Sequence, residues 1–391
     1  MGKLVLIDGH SILNRAFYGV PELTNSKGLH TNAVYGFLNI MFRVIEDEGA
    51  DYLAVAFDLK EPTFRHKMYA AYKGTRKPMP QELHEQVPVM KEVLTAMDVP
   101  ILTKAGYEAD DILGTIAKRC AAEGVEVSIV SGDRDLLQLA DTHIKIRMPR
   151  TSKGTTEIRD YYPEDVKAEY QVTPIEFIDV KALMGDTSDN IPGVPSIGEK
   201  TATSLITTYG SIENAYAHID EVKPPRAQKA LREHYDMAQM SKELATICLD
   251  CPVAFEYGKT QIENLYTPEA YQYMKRLEFK SILTRFDAAS MGGGETSSLE
   301  DGFRLVTEKV EAERLFAKAA KQPVVGVQLI TASRSAARAA GEMEQLSFSF
   351  DEGGALQSGE KAKEGLLPVA AAALCAGEED ICCIVTGGEL T

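Results

Sequence analysis

The chain has 391 residues, of which 44% are hydrophobic and 26% are charged, and its formal net charge is −16. This composition is typical of a globular protein with two or three domains. No segment has about 18 consecutive apolar residues, so no membrane span is expected. The negative charge argues against a surface that binds nucleic acid by bulk attraction, although basic residues can still gather on one face. The N-terminus lacks a signal-peptide layout, so we expect a cytoplasmic protein.

Three short apolar runs in the first half of the chain each end near an aspartate. They are residues 3–7 before Asp8, residues 53–57 before Asp58, and residues 125–130 before Asp133. Runs of this length bounded by glycine and aspartate predict buried parallel strands. In open α/β sheets the active crevice lies outside the carboxyl ends of the strands, so these carboxylates should converge at one edge.

Segments with the apolar periodicity of helices lie between these strands and after them. Together with the strands, predicted helices over 32–48, 81–97 and 110–120 indicate an α/β domain over residues 1–165. From 166 to 290 the strand signals largely disappear, which predicts a helical subdomain. Its predicted helices cover residues 174–184, 200–208, 212–218, 225–234 and 237–247.

Glycine and serine dominate residues 291–302 and predict a flexible linker. Residues 303–391 then look like a partial α/β domain, with a helix over 309–321 and a poorly ordered insertion over 331–365. Because no clear closing element follows the last apolar run, we expect the chain to end inside an incomplete domain.

Nine acidic residues fall in five clusters along the first half of the chain. They are Asp8, Asp58, Glu108, Asp110, Asp111, Asp133, Asp135, Asp186 and Asp189. Any one pair is uninformative, because acidic residues often cap helices and close turns. Together they predict a site for two Mg²⁺ or Mn²⁺ ions, since crowded carboxylates repel one another unless a cation neutralises them. Two such ions are the usual device for phosphodiester displacement without a nucleophilic side chain.

Residues 64–77 form the densest basic and aromatic stretch of the chain. If this stretch is helical, Arg65, Tyr69, Tyr72 and Arg76 line one stripe, with Lys73 and Lys77 beside it. Basic side chains bind phosphates and aromatic rings stack on unpaired bases, so the stretch predicts a nucleic-acid contact. The alternative is a solvated helix face, which usually carries acidic partners that are missing here.

The string NIPGVPSIGEKTA at residues 190–202 predicts a helix–hairpin–helix. A glycine-bearing hairpin between two short helices exposes backbone N–H groups, which bind duplex phosphates without reading sequence. The residues expected to contact DNA here are Gly193, Val194, Ser196, Ile197, Gly198, Lys200 and Thr201.

Six motifs occur in a characteristic order: LIDG (6–9), AFD (56–58), YKGTR (72–76), GYEADD (106–111), SGDRDL (131–136) and GDTSDNIPG (185–193). They resemble the 5′ nuclease domains of bacterial DNA polymerase I, within the flap-endonuclease family, and the similarity covers residues 1–290. The resemblance implies a resolvase-like core with a helix–hairpin–helix subdomain. It also implies a metal-dependent enzyme that cuts DNA at 5′ flaps, nicks and RNA primers, acting in primer removal and repair.

The resemblance also implies roles for particular residues. The nine acids would be the ligands of the two-metal site. Lys73 and Arg76 would contact the scissile phosphate from an arch, and Tyr72 would stack on a base. The hairpin would hold the downstream duplex, in some relatives with a K⁺ ion, although Ser196 stands where relatives usually have glycine. We expect the protein to act as a monomer.

The tail from residue 303 resembles the start of the proofreading-type domain that follows in DNA polymerase I. An active domain of that type carries two carboxylates at the end of its first strand. The matching residues, Gly326, Val327 and Gln328, supply neither. We therefore expect no 3′→5′ exonuclease activity from this part of the chain.

Two alternatives stay open. One is a non-catalytic DNA-binding module that keeps metals only for folding, which predicts stability that is sensitive to EDTA and no cleavage product. The other is a single-strand ribonuclease of the related small-nuclease class. That class lacks the helix–hairpin–helix, so a dependence of cleavage on duplex DNA separates it from a 5′ nuclease.

Overall fold

The computed structural model describes residues 2–152 and 155–291, and beyond them only short stretches between 303 and 384. The chain divides into two units, Met1–Phe286 and Asp287–Thr391. Among the helices described, none combines the length and apolar character that crossing a membrane requires.

A six-stranded sheet forms the centre of the first unit. Its strands are β1 Lys3–Asp8, β2 Tyr52–Ala56, β3 Ile101–Leu102, β4 Glu126–Val130, β5 Ile144–Ser152 and β6 Thr155–Tyr161. They lie in the order β3-β2-β1-β4-β5-β6, and only β5 and β6 pair antiparallel. In the register Asp8 stands beside Ala56, and Ile7 stands beside Val130. The three predicted strands therefore end at one edge, as expected.

Helices cover both faces of this sheet. The first six are α1 Gly9–Gly19, α2 Asn32–Glu48, α3 Phe64–Met68, α4 Gln81–His84, α5 Gln86–Ala96 and α6 Ala109–Ala122. Alternate side chains of β1 point to opposite faces of the sheet. Leu4 and Leu6 pack in the core with α6, whereas Val5 and Ile7 pack in the core with α2 and α5. A strand buried on both sides explains the continuous apolar run.

The remainder of the first unit is helical. Its helices are α7 Pro163–Tyr170, α8 Pro174–Met184, α9 Glu199–Tyr209, α10 Ile212–Ala217, α11 Pro225–Glu233, α12 Tyr235–Ala245, α13 Pro268–Arg276 and α14 Lys280–Met291. The five helices predicted between 174 and 247 are confirmed within two residues at each end. Helix α8 begins at a proline behind the cap Thr173, whose hydroxyl accepts from the backbone N–H of Glu176 at 3.3 Å.

The stretch 64–77, which would place its basic and aromatic residues on one stripe if it were helical, is helical only over Phe64–Met68, and beyond it the backbone N–H of Lys73 donates to the carbonyl of Asp189 at 2.8 Å. One local prediction is wrong. The helix expected over 81–97 is divided at Glu85 into α4 and α5. The antiparallel pair β5 and β6 was not expected.

The second unit contains a four-stranded sheet in the order β7-β12-β11-β8 and a two-stranded sheet of β10 and β9. The strands are β7 Phe303–Leu305, β8 Gly326–Thr331, β9 Ser349–Phe350, β10 Leu356–Gln357, β11 Val369–Cys375 and β12 Cys382–Ile384. The expected linker after Met291 and most of the expected helix over 309–321 lie outside the described residues. The predicted lack of proofreading activity stays a prediction.

Candidate active site

A cleft of about 1980 Å³ lies at the carboxyl edge of the sheet. Seven of the nine candidate acids line it: Asp8, Asp58, Glu108, Asp110, Asp133, Asp135 and Asp186. They come from the ends of β1, β2 and β4, the start of α6 and the turn after α8. The expected convergence of separated carboxylates is therefore observed. Asp111 and Asp189 lie behind the lining.

Four of these acids, Asp8, Asp58, Asp110 and Asp133, form what we call the sheet-edge group. Asp8 accepts from the backbone N–H of Ser11 at 3.1 Å and from the hydroxyl of Ser131 at 2.8 Å. Asp58 accepts from the backbone N–H of Ala109 at 2.7 Å. The basic side chains Lys73, Arg76 and Lys181 form their ion pairs with other acids of the cleft.

The proximity of these carboxylates perturbs their ionisation. Burial and then the charge of Asp58 raise the pKa of Asp8 to about 6. Burial and the charges of Asp8 and Asp133 raise the pKa of Asp110 well above its usual value. Burial also acts on Asp58, but the adjacent His10 and the hydrogen bond from the backbone N–H of Ala109 outweigh it and hold its pKa at about 2. The group stores electrostatic repulsion that a cation would relieve.

The other acids, Glu108, Asp135, Asp186 and Asp189, form what we call the arch-side group. The name refers to residues 64–77, the stretch whose Lys73 and Arg76 the resemblance places on an arch. Lys73 lies 2.8 Å from Glu108 and 3.8 Å from Asp189, and Arg76 forms an ion pair with Asp189. The chain's own cations thus neutralise this side of the cleft.

Sequence reasoning missed Lys181, which lies between two acids of the arch-side group. Its ammonium is 2.5 Å from carboxylate oxygens of both Asp135 and Asp186. A lysine in the last turn of a helix is ordinarily explained by the helix dipole, so its position in α8 gave no distinct signal. Burial opposes the charge of Lys181, but its two carboxylates prevail and raise its pKa.

Lys181 affects its two partners unequally. Burial and the charge of Asp133 raise the pKa of Asp135 to about 7 despite the contact with Lys181. Asp186 is also buried, but Lys181 and Ser188 outweigh that effect and hold its pKa at about 2. Asp135 is therefore the one member of the arch-side group that still carries uncompensated repulsion.

The prediction that Arg65 contacts DNA is wrong for this structure. Arg65 is only 3% exposed, and its guanidinium makes two hydrogen bonds to Asp111 at 2.9 and 2.8 Å. It also donates to the carbonyls of Leu244 and Thr246 at 2.9 and 2.7 Å. Arg65 fastens the arch segment to the body of the protein.

Asp111 differs from the other acids in its surroundings. It is fully buried and, besides Arg65, accepts from the backbone N–H groups of Glu108 and Cys248, each at 2.9 Å. These contacts occupy both carboxylate oxygens. The structure therefore places Asp111 in support of Arg65 and the start of α6, while its predicted role as a metal ligand stays a prediction.

Tyr72 is also buried, which contradicts base stacking in this DNA-free form. The residue is only 3% exposed, and its hydroxyl lies 3.1 Å from a carboxylate oxygen of Glu108 and 3.0 Å from one of Asp189, which share its single proton. The basic residue Lys77, by contrast, is exposed. Stacking on a base would require Tyr72 to leave both carboxylates.

The hairpin between α8 and α9 is tighter than expected. Gly193 has a φ of 64°, and a side chain there would meet the backbone of Gly185 at 2.4 Å, so only glycine fits. The backbone N–H groups of Gly193, Val194 and Ile197 donate within the protein, to Ser241, Leu183 and Val194 at 3.1, 2.8 and 3.1 Å. The predicted phosphate contacts of these three are therefore wrong for this form.

Other residues of the hairpin are accessible. Ser196, Gly198 and Lys200 are exposed, and Lys200 lines the cleft. Ser196 has a φ of 70° and its hydroxyl accepts from Arg226 at 3.0 Å. The backbone N–H of Thr201 donates to Gly198 at 3.0 Å. The K⁺ ion expected from relatives stays a prediction.

The donor set suits hard divalent cations, because it consists of carboxylate oxygens with unrelieved repulsion at Asp8, Asp110 and Asp135. Among the residues that the structure describes, no three acidic, histidine or cysteine side chains already stand as a ready-made metal site. Metal binding would therefore require side chains to draw together, with Lys181 and Lys73 yielding their carboxylates.

Two family models match consecutive parts of the chain. The N-terminal resolvase-like domain of 5′-3′ exonucleases matches residues 3–171, and the C-terminal SAM fold of 5′-3′ exonucleases matches residues 172–267. The two models meet six residues after the subdomain boundary expected from the sequence.

Similar proteins include DNA polymerase I of Bacillus caldotenax, 42% identical over 339 residues, which are 84% of this chain and 38% of that protein. DNA polymerase I of Bacillus subtilis (strain 168) is 44% identical over 299 residues, which are 76% of this chain and 34% of that protein. The chain thus spans little more than a third of the length of these relatives.

Solved structures share the fold. The T5 5′-exonuclease with bound zinc has a TM-score of 0.53 and 21% identity, with 74% of this chain and 98% of that chain covered. A bacteriophage T5 flap endonuclease complex with DNA and metal ions has a TM-score of 0.50 and 22% identity over the same shares. At this identity the likeness concerns the fold alone.

Proposed function

This chain belongs to the 5′-3′ exonuclease family, and we propose that it is a structure-specific 5′ nuclease that hydrolyses phosphodiester bonds of DNA. It would act as a 5′→3′ exonuclease and as a 5′ flap endonuclease. The observation that carries the proposal is the convergence of seven acidic side chains from five separate segments in one cleft. Basic side chains line the same cleft, so it offers both a cation site and contacts for a phosphate backbone.

The carboxylates would hold two Mg²⁺ or Mn²⁺ ions. Asp8, Asp110 and Asp133 of the sheet-edge group are the strongest candidates, because burial and their mutual repulsion raise the pKa values of Asp8 and Asp110 and a cation would relieve this repulsion. When bound, two such cations lower the pKa of an attacking water and offset the charge on the leaving 3′ oxygen. His10 orients Asp58 from the other side, since its Nδ1 lies 3.5 Å from the carboxylate and accepts from the backbone N–H at 3.2 Å.

Lys73 and Arg76 would exchange their carboxylate partners for the phosphate that is cut. In the DNA-free form Lys73 pairs with Glu108 and Arg76 pairs with Asp189. A substrate phosphate would compete with these carboxylates for the basic side chains, and the metal ions would compete with the basic side chains for the carboxylates. The exchange couples substrate binding to the release of Glu108. Hydrolysis would leave a 5′-phosphate and a 3′-hydroxyl, and a free 3′-hydroxyl is what extension by a polymerase requires.

The hairpin would hold the duplex beyond the cut. Ser196, Gly198 and Lys200 are exposed there, and Lys200 connects the hairpin to the cleft. Backbone and lysine contacts to phosphates carry no sequence information, which suits an enzyme that recognises a junction. We propose DNA with 5′ flaps, nicks or RNA primers as the substrate and a monomer as the active form.

The relatives suggest the wider setting. Because the chain matches about a third of the length of DNA polymerase I proteins, we propose that its nuclease removes primers and damaged strands beside polymerase action. The tail from residue 303 is proposed to lack 3′→5′ exonuclease activity, since Gly326, Val327 and Gln328 supply no carboxylate.

A cleavage assay tests the proposal directly. The protein is incubated with a 5′-labelled flap duplex in Mg²⁺, in EDTA, and with the flap strand alone. We expect metal-dependent cleavage near the junction and little cleavage of the single strand. Binding without any product would support the non-catalytic module instead, and equal cleavage of the single strand would support a single-strand nuclease.

A further inference from the structure

The basic side chains that line the cleft differ in what they touch. Lys73, Arg76 and Lys181 each lie against carboxylates of the arch-side group. Lys91, on α5, lines the same cleft, yet in the described part of the chain its ammonium has no ion-pair or hydrogen-bond partner. It is also half-buried, unlike the exposed Lys60 and Lys200.

An aromatic ring, and not a carboxylate, fixes the position of Lys91. Its Nζ lies 4.7 Å from the centroid of the Phe57 ring, and Phe57 is fully buried directly before Asp58. His10 packs edge-on against the same ring at 5.2 Å. Phe57 therefore holds the ammonium near the sheet-edge group without neutralising its charge, because a cation–π contact leaves the formal charge in place.

A half-buried ammonium is costly when its three donors lack acceptors. Among the described residues no acceptor contacts this ammonium, and Asp58 attracts it without direct contact, so an anion from outside the chain is the natural direct partner. Among the described cleft-lining residues between 58 and 91, Asp58 is the only acidic one, whereas Lys60, His84 and Lys91 are basic or can become so. The α5 wall of the cleft is thus suited to an anion.

We propose that Lys91 is a positioning residue that binds a phosphate of the strand being cut. This inference rests on the proposed nuclease function and adds a second phosphate contact, on α5, to those of Lys73 and Arg76. The phosphate is either the terminal 5′-phosphate or an internal phosphodiester of that strand. Both offer the same anionic oxygens to the ammonium.

The test uses charge removal that preserves packing. Lys91→Met keeps an unbranched side chain over Phe57 but removes the charge, and Lys91→Arg keeps the charge. Lys259→Met is the matched control, because Lys259 is an exposed lysine outside the cleft lining. Each protein is assayed on a nicked duplex with a 5′-phosphate, on one with a 5′-hydroxyl, and on a flap, and its melting temperature is measured.

We expect Lys91→Met to raise KM about 10-fold with a smaller change in kcat, and Lys91→Arg to restore it. The slope of log KM against log salt should fall by about 0.9, the signature of one lost phosphate contact, which a merely structural role would not change. A loss confined to the 5′-phosphate substrate identifies the terminal phosphate, and an equal loss on all three identifies an internal one.

Equal KM and salt dependence in Lys91→Met and Lys259→Met, on all three substrates, would overturn the inference while leaving the nuclease function intact. Failure of the wild-type protein to cut any of them would overturn both. If Lys91→Met melts at a lower temperature, the comparison with Lys91→Arg still separates the charge from the packing of the side chain.

Discussion

The two sides of the cleft stabilise their crowded carboxylates by different interactions. In the sheet-edge group, Asp8 and Asp58 receive hydrogen bonds from serine and backbone donors. In the arch-side group, Lys73, Arg76 and Lys181 neutralise their partners.

The difference separates two tasks. The sheet-edge group is unstable without a cation, so it should supply most of the metal affinity. Apart from Asp135, the acids of the arch-side group are neutralised without ligands, so this group should respond to DNA, which competes for its cations. The following predictions test this division.

The largest effect is expected at the sheet-edge group. Asp110→Asn should reduce kcat/KM more than about 100-fold, because loss of a direct metal donor should exceed the 10–100-fold effects known for outer partners of metal ligands. It should also raise the melting temperature in EDTA, because the substitution removes repulsion with Asp8 and Asp133. Cleavage assays and thermal melts of one preparation measure both. Unchanged activity would remove Asp110 from the metal site.

Unlike Asp110→Asn, Asp111→Asn should lower the stability of the metal-free protein. It breaks the buried pair with Arg65 and should lower the free energy of unfolding by about 3–5 kcal/mol. Urea denaturation in EDTA measures this loss, with Asp110→Asn as the control of equal charge change. If Asp111→Asn is as stable as wild type but inactive, Asp111 belongs with the metal ligands and the division needs revision.

On the arch side, Lys73→Ala should lower kcat about 100-fold, comparable to the loss of one preorganised electrostatic donor. Metal affinity should change little or rise, because Glu108 is released. Lys67→Ala is the control, since Lys67 is an exposed lysine of the same segment. Single-turnover cleavage and a Mn²⁺ titration separate the two quantities, and a large loss of Mn²⁺ affinity would contradict the division.

The pH dependence of stability should reveal the stored repulsion. The pKa of Asp8 is raised to about 6 and that of Asp135 to about 7, so the folded metal-free protein binds more protons than the unfolded chain above about pH 4. Its free energy of unfolding should therefore fall as pH rises from about 5 to about 8, and Mg²⁺ should reverse the fall.

Urea titrations in EDTA and in Mg²⁺ measure this pH effect, and Asp8→Asn should flatten the dependence in EDTA. The contributions of Asp58 and Asp186 lie elsewhere. Their pKa values near 2 give stability that is present above about pH 4 and lost below it. A metal-free protein that becomes more stable from about pH 5 to about pH 8 would contradict the stored repulsion.

The smallest effect is expected at Tyr72. Tyr72→Phe removes the hydroxyl whose proton Glu108 and Asp189 share and should cost about 1–2 kcal/mol of metal-free stability. If the ring stacks on a base in the complex, Tyr72→Phe should keep the wild-type KM for flap DNA, whereas Tyr72→Ala should raise it several-fold. Equal KM values for the two variants would exclude stacking.

Whereas the parallel strands β3 and β5 were not predicted, the sequence by itself determined the parallel strands β1, β2 and β4, the edge at which they end and the convergence of their aspartates. These follow from local rules: apolar runs bounded by glycine or aspartate form buried strands, and parallel strands end on one side. The helices α2 and α8 were also predictable to the residue, because apolar periodicity and flanking glycines mark their ends.

Only the tertiary structure decided which partner each polar side chain takes. The sequence predicted that Arg65 and Tyr72 contact DNA. In the structure both are buried against partners far along the chain, Arg65 at the carbonyl of Leu244 and Tyr72 at the carboxylate of Asp189. Lys181 stands in the last turn of a helix, where a lysine is ordinary, but its ammonium contacts two acids. A local pattern fixes where a backbone runs, but the burial and pairing of a side chain depend on distant segments that the pattern does not contain.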